Sequence, residues 1–117
     1  MEGRGMVVMA PYTCGLDAAA DVIGGKWKPR ILWALHYGPR RFGELRKDVS
    51  GVTEKMLIQQ LRELESRRIV HREVYHQVPP KVEYSLTALG ESLNAALAPL
   101  DAWGADHLDE LTATRSC

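Results

Sequence analysis

Residues 40–66 read RRFGELRKDVSGVTEKMLIQQLRELES, and this stretch decides the fold because it predicts two helices joined by a tight turn. In its first half, Phe42, Leu45 and Val49 follow one another at spacings of three and four residues. That spacing is typical of an amphipathic helix with one apolar face. We therefore expect a short helix over residues 40–49, followed by a turn.

The second half of the stretch predicts a helix with one apolar and one polar face. Thr53 can begin this helix, because its hydroxyl can accept a backbone N–H from the first turn. A buried stripe is expected at three leucines spaced four and three residues apart, Leu57, Leu61 and Leu64. The opposite face carries long polar side chains and one isoleucine, at Lys55, Ile58, Gln59 and Arg62.

Two further helices are predicted before this stretch. Apolar residues recur at helical spacing over residues 16–23, and two glycines then end the first helix. The second helix ends at the Gly-Pro pair of residues 38–39. Trp27, Ile31 and Leu35 share one apolar face of this second helix. Trp27 and Phe42 are expected in the core, whereas Trp33 lies off that face and is expected to be partly exposed or covered by a second subunit.

The residues after the stretch predict a hairpin and a long helix. Strand-forming residues occupy 69–76 and 82–86, and the prolines between them mark the tip of the only sheet expected. Thr87 then begins a helix in which Pro99 predicts a kink or a break. Its apolar positions step by four, three, four and three, at Leu89, Leu93, Ala96, Leu100 and Trp103.

The order of these elements is helix, helix, short helix, turn, helix, hairpin and long helix. It predicts a mainly α (α+β) fold, a winged helix-turn-helix with a two-stranded wing and extra N- and C-terminal helices that form a dimer surface. We expect one domain over residues 14–112, with a flexible arm at residues 1–13 and a flexible tail at residues 113–117.

Charge is segregated along the chain, although the formal net charge is zero. Between Lys26 and Lys81 the sequence has 13 of its 15 Lys and Arg residues and only 6 acidic residues, a local excess of +7. A basic centre suits a domain that presents one face to phosphate groups. A solvated helix surface can carry the same excess, so charge by itself leaves both interpretations open.

Several motifs resemble those of the HxlR-type bacterial transcription regulators. They read GGKW at residues 24–27, GPRRFGELR at 38–46, KML at 55–57, QLREL at 60–64 and VPPKVEYSLT at 78–87. The resemblance implies a cytoplasmic homodimer that binds a near-palindromic operator in double-stranded DNA, as a repressor or an activator. It also implies a cysteine at the position of Cys14 that senses electrophiles or oxidants in some members, although Gly15 stands where proline is common.

In a helix-turn-helix domain, the second helix enters the major groove with its N-terminal residues nearest the bases. The candidates for base contacts are Thr53, Lys55, Ile58, Gln59 and Arg62, of which we favour Lys55 and Gln59 because their side chains match base edges. The candidates for phosphate contacts surround the short helix, at Arg40, Arg41, Arg46 and Lys47. The wing would touch DNA through His76, Gln77 and Lys81. A plain solvated surface is the alternative for each set.

The long helix has a richer apolar stripe than one small domain needs. We therefore expect a dimer surface at Leu16, Leu89, Leu93, Ala96, Leu100 and Trp103. A twofold dimer would place two reading helices ~34–36 Å apart, the separation of successive major grooves. The alternative is that the long helix folds back on its own domain.

Cys14 is expected just before the first turn of the first helix, where free backbone N–H groups can stabilise a thiolate. It is a candidate sensor of a small electrophile or oxidant, and the alternative is an inert, small apolar side chain. Cys117 is expected to be flexible and not a site.

Other classes of function are less well supported. His71 and His76 are separated by an odd number of residues in a strand, so they point to opposite faces and do not share a metal ion easily. No Cys-x2-Cys, His-Glu-x-x-His, glycine-rich phosphate loop or nucleophile elbow is present. We expect no enzyme activity, no cofactor, no metal and no membrane role. We expect the protein to be located in the cytoplasm. A winged helix used only for protein contacts is the second candidate.

Overall fold

The helices follow in the expected order in a computed structural model that describes residues 12–114. The helices are α1 (Gly15–Val22), α2 (Trp27–Ala34), α3 (Phe42–Asp48), α4 (Glu54–Ser66), α5 (Ala88–Asp106) and α6 (Leu108–Thr114). The strands are β1 (Arg40–Arg41), β2 (Val70–Tyr75) and β3 (Lys81–Leu86). The fold is mainly helical with a small antiparallel sheet, a winged helix-turn-helix.

The predicted helix-turn-helix is formed by α3 and α4. Thr53 begins α4, and its Oγ1 accepts a hydrogen bond from the backbone nitrogen of Met56 at 3.1 Å. Gly51 in the turn has a φ of 89°, a left-handed conformation that glycine adopts without a steric penalty. Local capping and turn chemistry therefore set the angle at which α4 leaves α3.

The core lies between α2, α3, α4 and the start of β2. Its fully buried side chains come from these elements, and they are Ile31, Leu32, Leu35, Leu45, Val49, Leu57, Leu61, Leu64 and Val70. Trp27 and Phe42 are half-buried and pack against this cluster from its edge. The apolar stripes expected on α2, α3 and α4 are thus the surfaces that hold the three helices together.

The sheet has three strands in the order β1-β3-β2, so the expectation of a two-stranded sheet was incomplete. Arg40 and Arg41, which were expected in the short helix, form β1 and pair with Tyr84 and Glu83 of β3. α3 begins only at Phe42. A two-residue strand is too short to show an alternating pattern, and its pairing depends on residues more than forty positions away.

Of the kink or break expected at Pro99, the break does not occur, because α5 continues through this residue and ends at His107. α5 buries Gly90, Asn94 and Leu97 against the domain. Gly90 lies so close to the carbonyl oxygen of Ile69 that any Cβ at this position would overlap with it.

The ends of the described chain extend beyond the predicted domain boundaries. The hydroxyl of Tyr12 donates to Asp21 in α1 and accepts from Nη1 of Arg67 at 3.2 Å. At the other end, α6 runs to Thr114. Residues 1–11 and 115–117, which hold most of the predicted arm and tail and Cys117, lie outside the described residues. Within residues 12–114, no helix is both long and apolar enough to cross a membrane.

Candidate nucleic-acid interface

The outer face of α4 carries the side chains that were expected to read bases. Lys55, Gln59 and Arg62 are exposed, whereas the three leucines of the opposite face are buried in the core. Thr53 is also exposed, but its oxygen already caps the helix. α4 is therefore held by one side and presents cationic groups and an amide on the other.

Ile58 differs from the other candidates because it is half-buried. It lies at the rim of a groove of about 560 Å³ between α4 and the sheet, beside Phe42 and Leu61. The polar face of α4 is therefore narrower than its sequence suggests, and only part of Ile58 is open to a ligand.

The far side of this groove holds a cation that the sequence analysis missed. Arg72 in β2 lines the groove together with Tyr84 of β3, and the two are direct partners in the strand register. Arg62 of α4 lines the same groove. The alternation of residues along β2 was a usable signal, but only the groove that Arg72 shares with Ile58 and Arg62 shows that Arg72 is on the α4 side of the sheet.

The phosphate candidates fall into two groups. Arg40 is bound to Asp48 through two hydrogen bonds, from Nε at 2.9 Å and from Nη2 at 3.1 Å. The bond to Asp48 raises the pKa of Arg40 above its ordinary value. Arg41 and Lys47 are exposed, and Arg46 is 3.8 Å from Glu54. Arg40 thus holds β1 to α3, whereas the other three are more accessible.

The three candidate residues of the wing have different surroundings. His76 and Gln77 are exposed in the turn between β2 and β3. Lys81 lies at the start of β3, where its Nζ is 4.5 Å from the ring centre of Tyr75 and 3.7 Å from a carboxylate oxygen of Glu83. The charge of Glu83 also raises the pKa of Tyr75. Lys81 therefore has protein partners already, and the turn residues are the free part of the wing.

Two side chains of α4, Gln60 and Glu63, are hydrogen-bonded to a buried lysine of α2. Lys28 of α2 is 8% exposed, and its Nζ donates to Oε1 of Gln60 at 2.8 Å and to Oε1 of Glu63. The second oxygen of Glu63 accepts from Nε2 of Gln59 at 3.4 Å. Lys28 was not among the predicted site residues, although it lies one helical turn before the buried Leu32 and therefore on an inward face.

The predicted dimer surface is largely uncovered in the single chain. Leu16 is 78% exposed, Leu100 56% and Trp103 54%, and Leu89 is also exposed. Ala96 is exposed as well, whereas Leu93 packs partly against the core. Leu108 and Leu111 of α6 extend the exposed apolar surface beyond the predicted residues.

Cys14 is exposed and occupies the N-cap position of α1, without a side-chain hydrogen bond to the helix. Two residues before it, Tyr12 contacts Asp21 and Arg67, and Arg67 also donates from Nη2 to Oδ2 of Asp21 at 2.7 Å. Hydrogen bonds from Tyr12 and then Arg67 lower the pKa of Asp21. Arg67 is the C-cap of α4, so the segment around Cys14 is linked to the end of α4.

Over residues 12–114, no three His, Cys, Asp or Glu side chains are grouped so that they could hold an ion. His71 makes a different contact, with its Nε2 2.8 Å from Oε1 of Glu73.

Comparisons with known proteins agree with this geometry. The family model described as HxlR-like helix-turn-helix matches residues 22–112. The HTH-type transcriptional regulator YkvN of Bacillus subtilis (strain 168) is 49% identical over 102 residues, which cover 87% of this chain and 86% of YkvN.

Solved structures give the same result. The redox regulator HypR in its reduced form is 47% identical with a TM-score of 0.81, covering 86% of this chain and 99% of HypR. Its oxidized form is 49% identical with a TM-score of 0.75, covering 80% of this chain and 96% of HypR. The chain therefore belongs to the HxlR-like helix-turn-helix family of DNA-binding transcription regulators.

Proposed function

We propose that this regulator acts as a homodimer that reads a near-palindromic operator in double-stranded DNA. The observation that carries the proposal is the division of α4 into a buried leucine face and an exposed face with Lys55, Gln59 and Arg62. Gln59 can bond to an adenine edge in the major groove, and Lys55 to guanine. Arg62 and Arg72 border the groove beside α4 and suit the flanking phosphates.

The remaining contacts would position the domain on the DNA backbone. Arg41, Arg46 and Lys47 lie on the element that precedes the turn, which crosses the backbone in this fold. His76 and Gln77 at the wing tip would contact the minor groove or a phosphate. These contacts supply affinity that depends on salt but not on sequence.

The second copy is expected to cover the exposed apolar residues of α1, α5 and α6. The Cα radius of gyration is 16.0 Å, whereas a compact domain of this size has about 13 Å. The long axis of the chain is 50 Å, so the molecule is elongated. It also exposes apolar side chains that a monomer would be expected to bury. An isologous twofold contact would cover them and set two α4 helices one DNA turn apart.

The signal is proposed to act at Cys14. The thiol is exposed at the N-cap of α1, where a small reagent can reach it. The similar protein HypR is described as a redox regulator with reduced and oxidized forms. In this chain the thiol would form a carbon–sulfur bond to a small electrophile with loss of its proton, or be oxidised by a small peroxide-type oxidant that is itself reduced, and operator binding would change. We propose that the protein represses transcription, that it is located in the cytoplasm and that it has no enzyme activity.

Selection of bound duplexes from a random library tests the proposal. A near-palindromic motif with half-sites one helical turn apart is the expected result. Treatment with N-ethylmaleimide should change binding to the selected duplex, and Cys14→Ser should abolish that change. If no sequence is enriched over competitor DNA, the chain is instead a winged helix that contacts proteins.

A further inference from the structure

Lys28 is a buried cation that touches the recognition helix from the inside. Only 8% of it is exposed, and its Nζ lies against Gln60 and Glu63 of α4. Glu63 is not buried to the same degree, because 47% of its side chain is exposed. A buried ammonium group needs a paired acceptor, so Lys28 holds the Glu63 carboxylate at a defined place on α4.

The donor and acceptor types then determine how the neighbouring amide is turned. A lysine ammonium group can only donate hydrogen bonds, and an ionised carboxylate can only accept them. The contact of Gln59 with Glu63, at 3.4 Å, must therefore be made by the Nε2 group of Gln59. The amide oxygen of Gln59 and its second N–H remain available, and one acceptor with one donor is the set that pairs with an adenine edge.

The negative charge of Glu63 also points to a role for Lys28. Glu63 places a negative group on a helix that is proposed to approach phosphates. Lys28 offsets this charge from the protein side, where DNA cannot reach it. Without Lys28, the carboxylate would lose this contact with the interior of the domain, close to the proposed base-reading face.

We propose that Lys28 is a positioning residue for sequence readout, acting through Glu63 to orient the amide of Gln59. Lys28 would not touch DNA itself. The inference rests on the proposed function, because it assigns an internal support to one of the base contacts of α4. It predicts that a residue outside the interface changes which base pair is preferred at a single operator position.

The experiment compares Lys28→Met with Lys26→Met on duplexes that differ only at the position read by Gln59. Lys26 is an exposed lysine on the same segment, with its Nζ over the ring of Trp27, so its replacement removes the same charge but leaves Glu63 held. Wild type and Lys26→Met should prefer the selected base pair by roughly tenfold. Lys28→Met should reduce this ratio by at least about threefold.

A second variant guards against a folding defect in Lys28→Met. Glu63→Gln can both donate and accept, so it no longer forces the orientation of Gln59, and the same loss of preference is expected. In a Gln59→Ala background, Lys28→Met should change the ratio no further. Side-chain amide NMR of Gln59 without DNA should show a restricted NH2 group in wild type and a mobile one in both variants.

The outcomes separate this inference from the proposed function. If wild type selects a sequence and Lys28→Met keeps the full preference with a mobile or unchanged amide, the positioning role is wrong while the regulator assignment stands. If wild type selects no sequence, both fall. Additive effects of Lys28→Met and Gln59→Ala would also overturn the positioning role.

Discussion

Arg67, the residue that ends α4, donates from Nη2 to Oδ2 of Asp21 in α1 at 2.7 Å. This ion pair joins the helix that carries Cys14 at its N-cap to the helix proposed to read DNA. The two residues are 46 positions apart in the sequence. The contact therefore connects the helix of the proposed sensor, Cys14, to the proposed DNA interface.

The Asp21 contact makes stability depend on pH. Tyr12 and Arg67 lower the pKa of Asp21 in the folded protein, so its stabilising effect is present above the unfolded pKa of about 3.9 and is lost as pH falls through the folded value. We expect Asp21→Asn to lower the urea midpoint at pH 7 and at pH 5, and the difference from wild type to vanish towards pH 2. A difference that stays constant down to pH 2 would contradict this origin.

Gln59→Ala should weaken discrimination at one operator position and leave the rest of the preference intact. One bidentate base contact accounts for about 1–3 kcal/mol of discrimination. Binding of wild type and variant to duplexes changed at single positions measures this effect. Equal loss at every position would show that Gln59 contributes affinity but does not read a base.

Lys47→Ala and Arg40→Ala should separate DNA contact from fold stability. Lys47 is exposed, and its loss should reduce the slope of log K against log salt by roughly one unit on every sequence. Arg40 is bonded to Asp48, so its loss should lower the urea midpoint, with a smaller change in the salt slope. The reverse pattern would mean that the Arg40–Asp48 pair opens when DNA binds.

Trp103→Glu should separate the dimer without unfolding the monomer. Trp103 is half exposed in the single chain, and burying a new carboxylate between two copies is costly. Light scattering should show a dimer for wild type and at least about a tenfold weaker dimer for the variant. Leu97→Ala is the matched control on α5, since Leu97 is buried in its own domain; it should cost about 2–5 kcal/mol of unfolding free energy. A variant that stays fully dimeric would place the contact elsewhere.

Two glycines of α5 should respond to alanine in opposite ways. A Cβ at Gly90 would collide with the backbone of Ile69, so Gly90→Ala should destabilise the fold by about 1–3 kcal/mol. A Cβ at Gly104 meets nothing within 4 Å, so Gly104→Ala should stabilise α5 by up to about 1 kcal/mol. Urea unfolding measures both. If Gly90→Ala and Gly104→Ala destabilised the fold by the same amount, neither crowding nor helix propensity would explain the effects.

Local sequence patterns were enough to predict the helix-turn-helix and the exposed polar face of α4. The Thr53 cap, the leucine stripe and the spacing of the α3 apolar residues are local patterns, because helical period and capping depend on residues three or four positions apart. Three of the five motifs that resemble the family, at residues 38–46, 55–57 and 60–64, overlap these segments. For that reason the family, the fold and the candidate base contacts could all be inferred without coordinates.

Only the tertiary structure decided which of these side chains are free and which are already bound. It placed Arg40 in a third strand and against Asp48, brought Lys28 to Glu63, and left the α5 stripe uncovered. The Lys28 and Arg67 contacts join residues 35 and 46 positions apart, and no periodic pattern records a partner at such a distance. A charged residue looks the same in sequence whether it meets solvent, DNA or a carboxylate, because that outcome depends on how the helices pack.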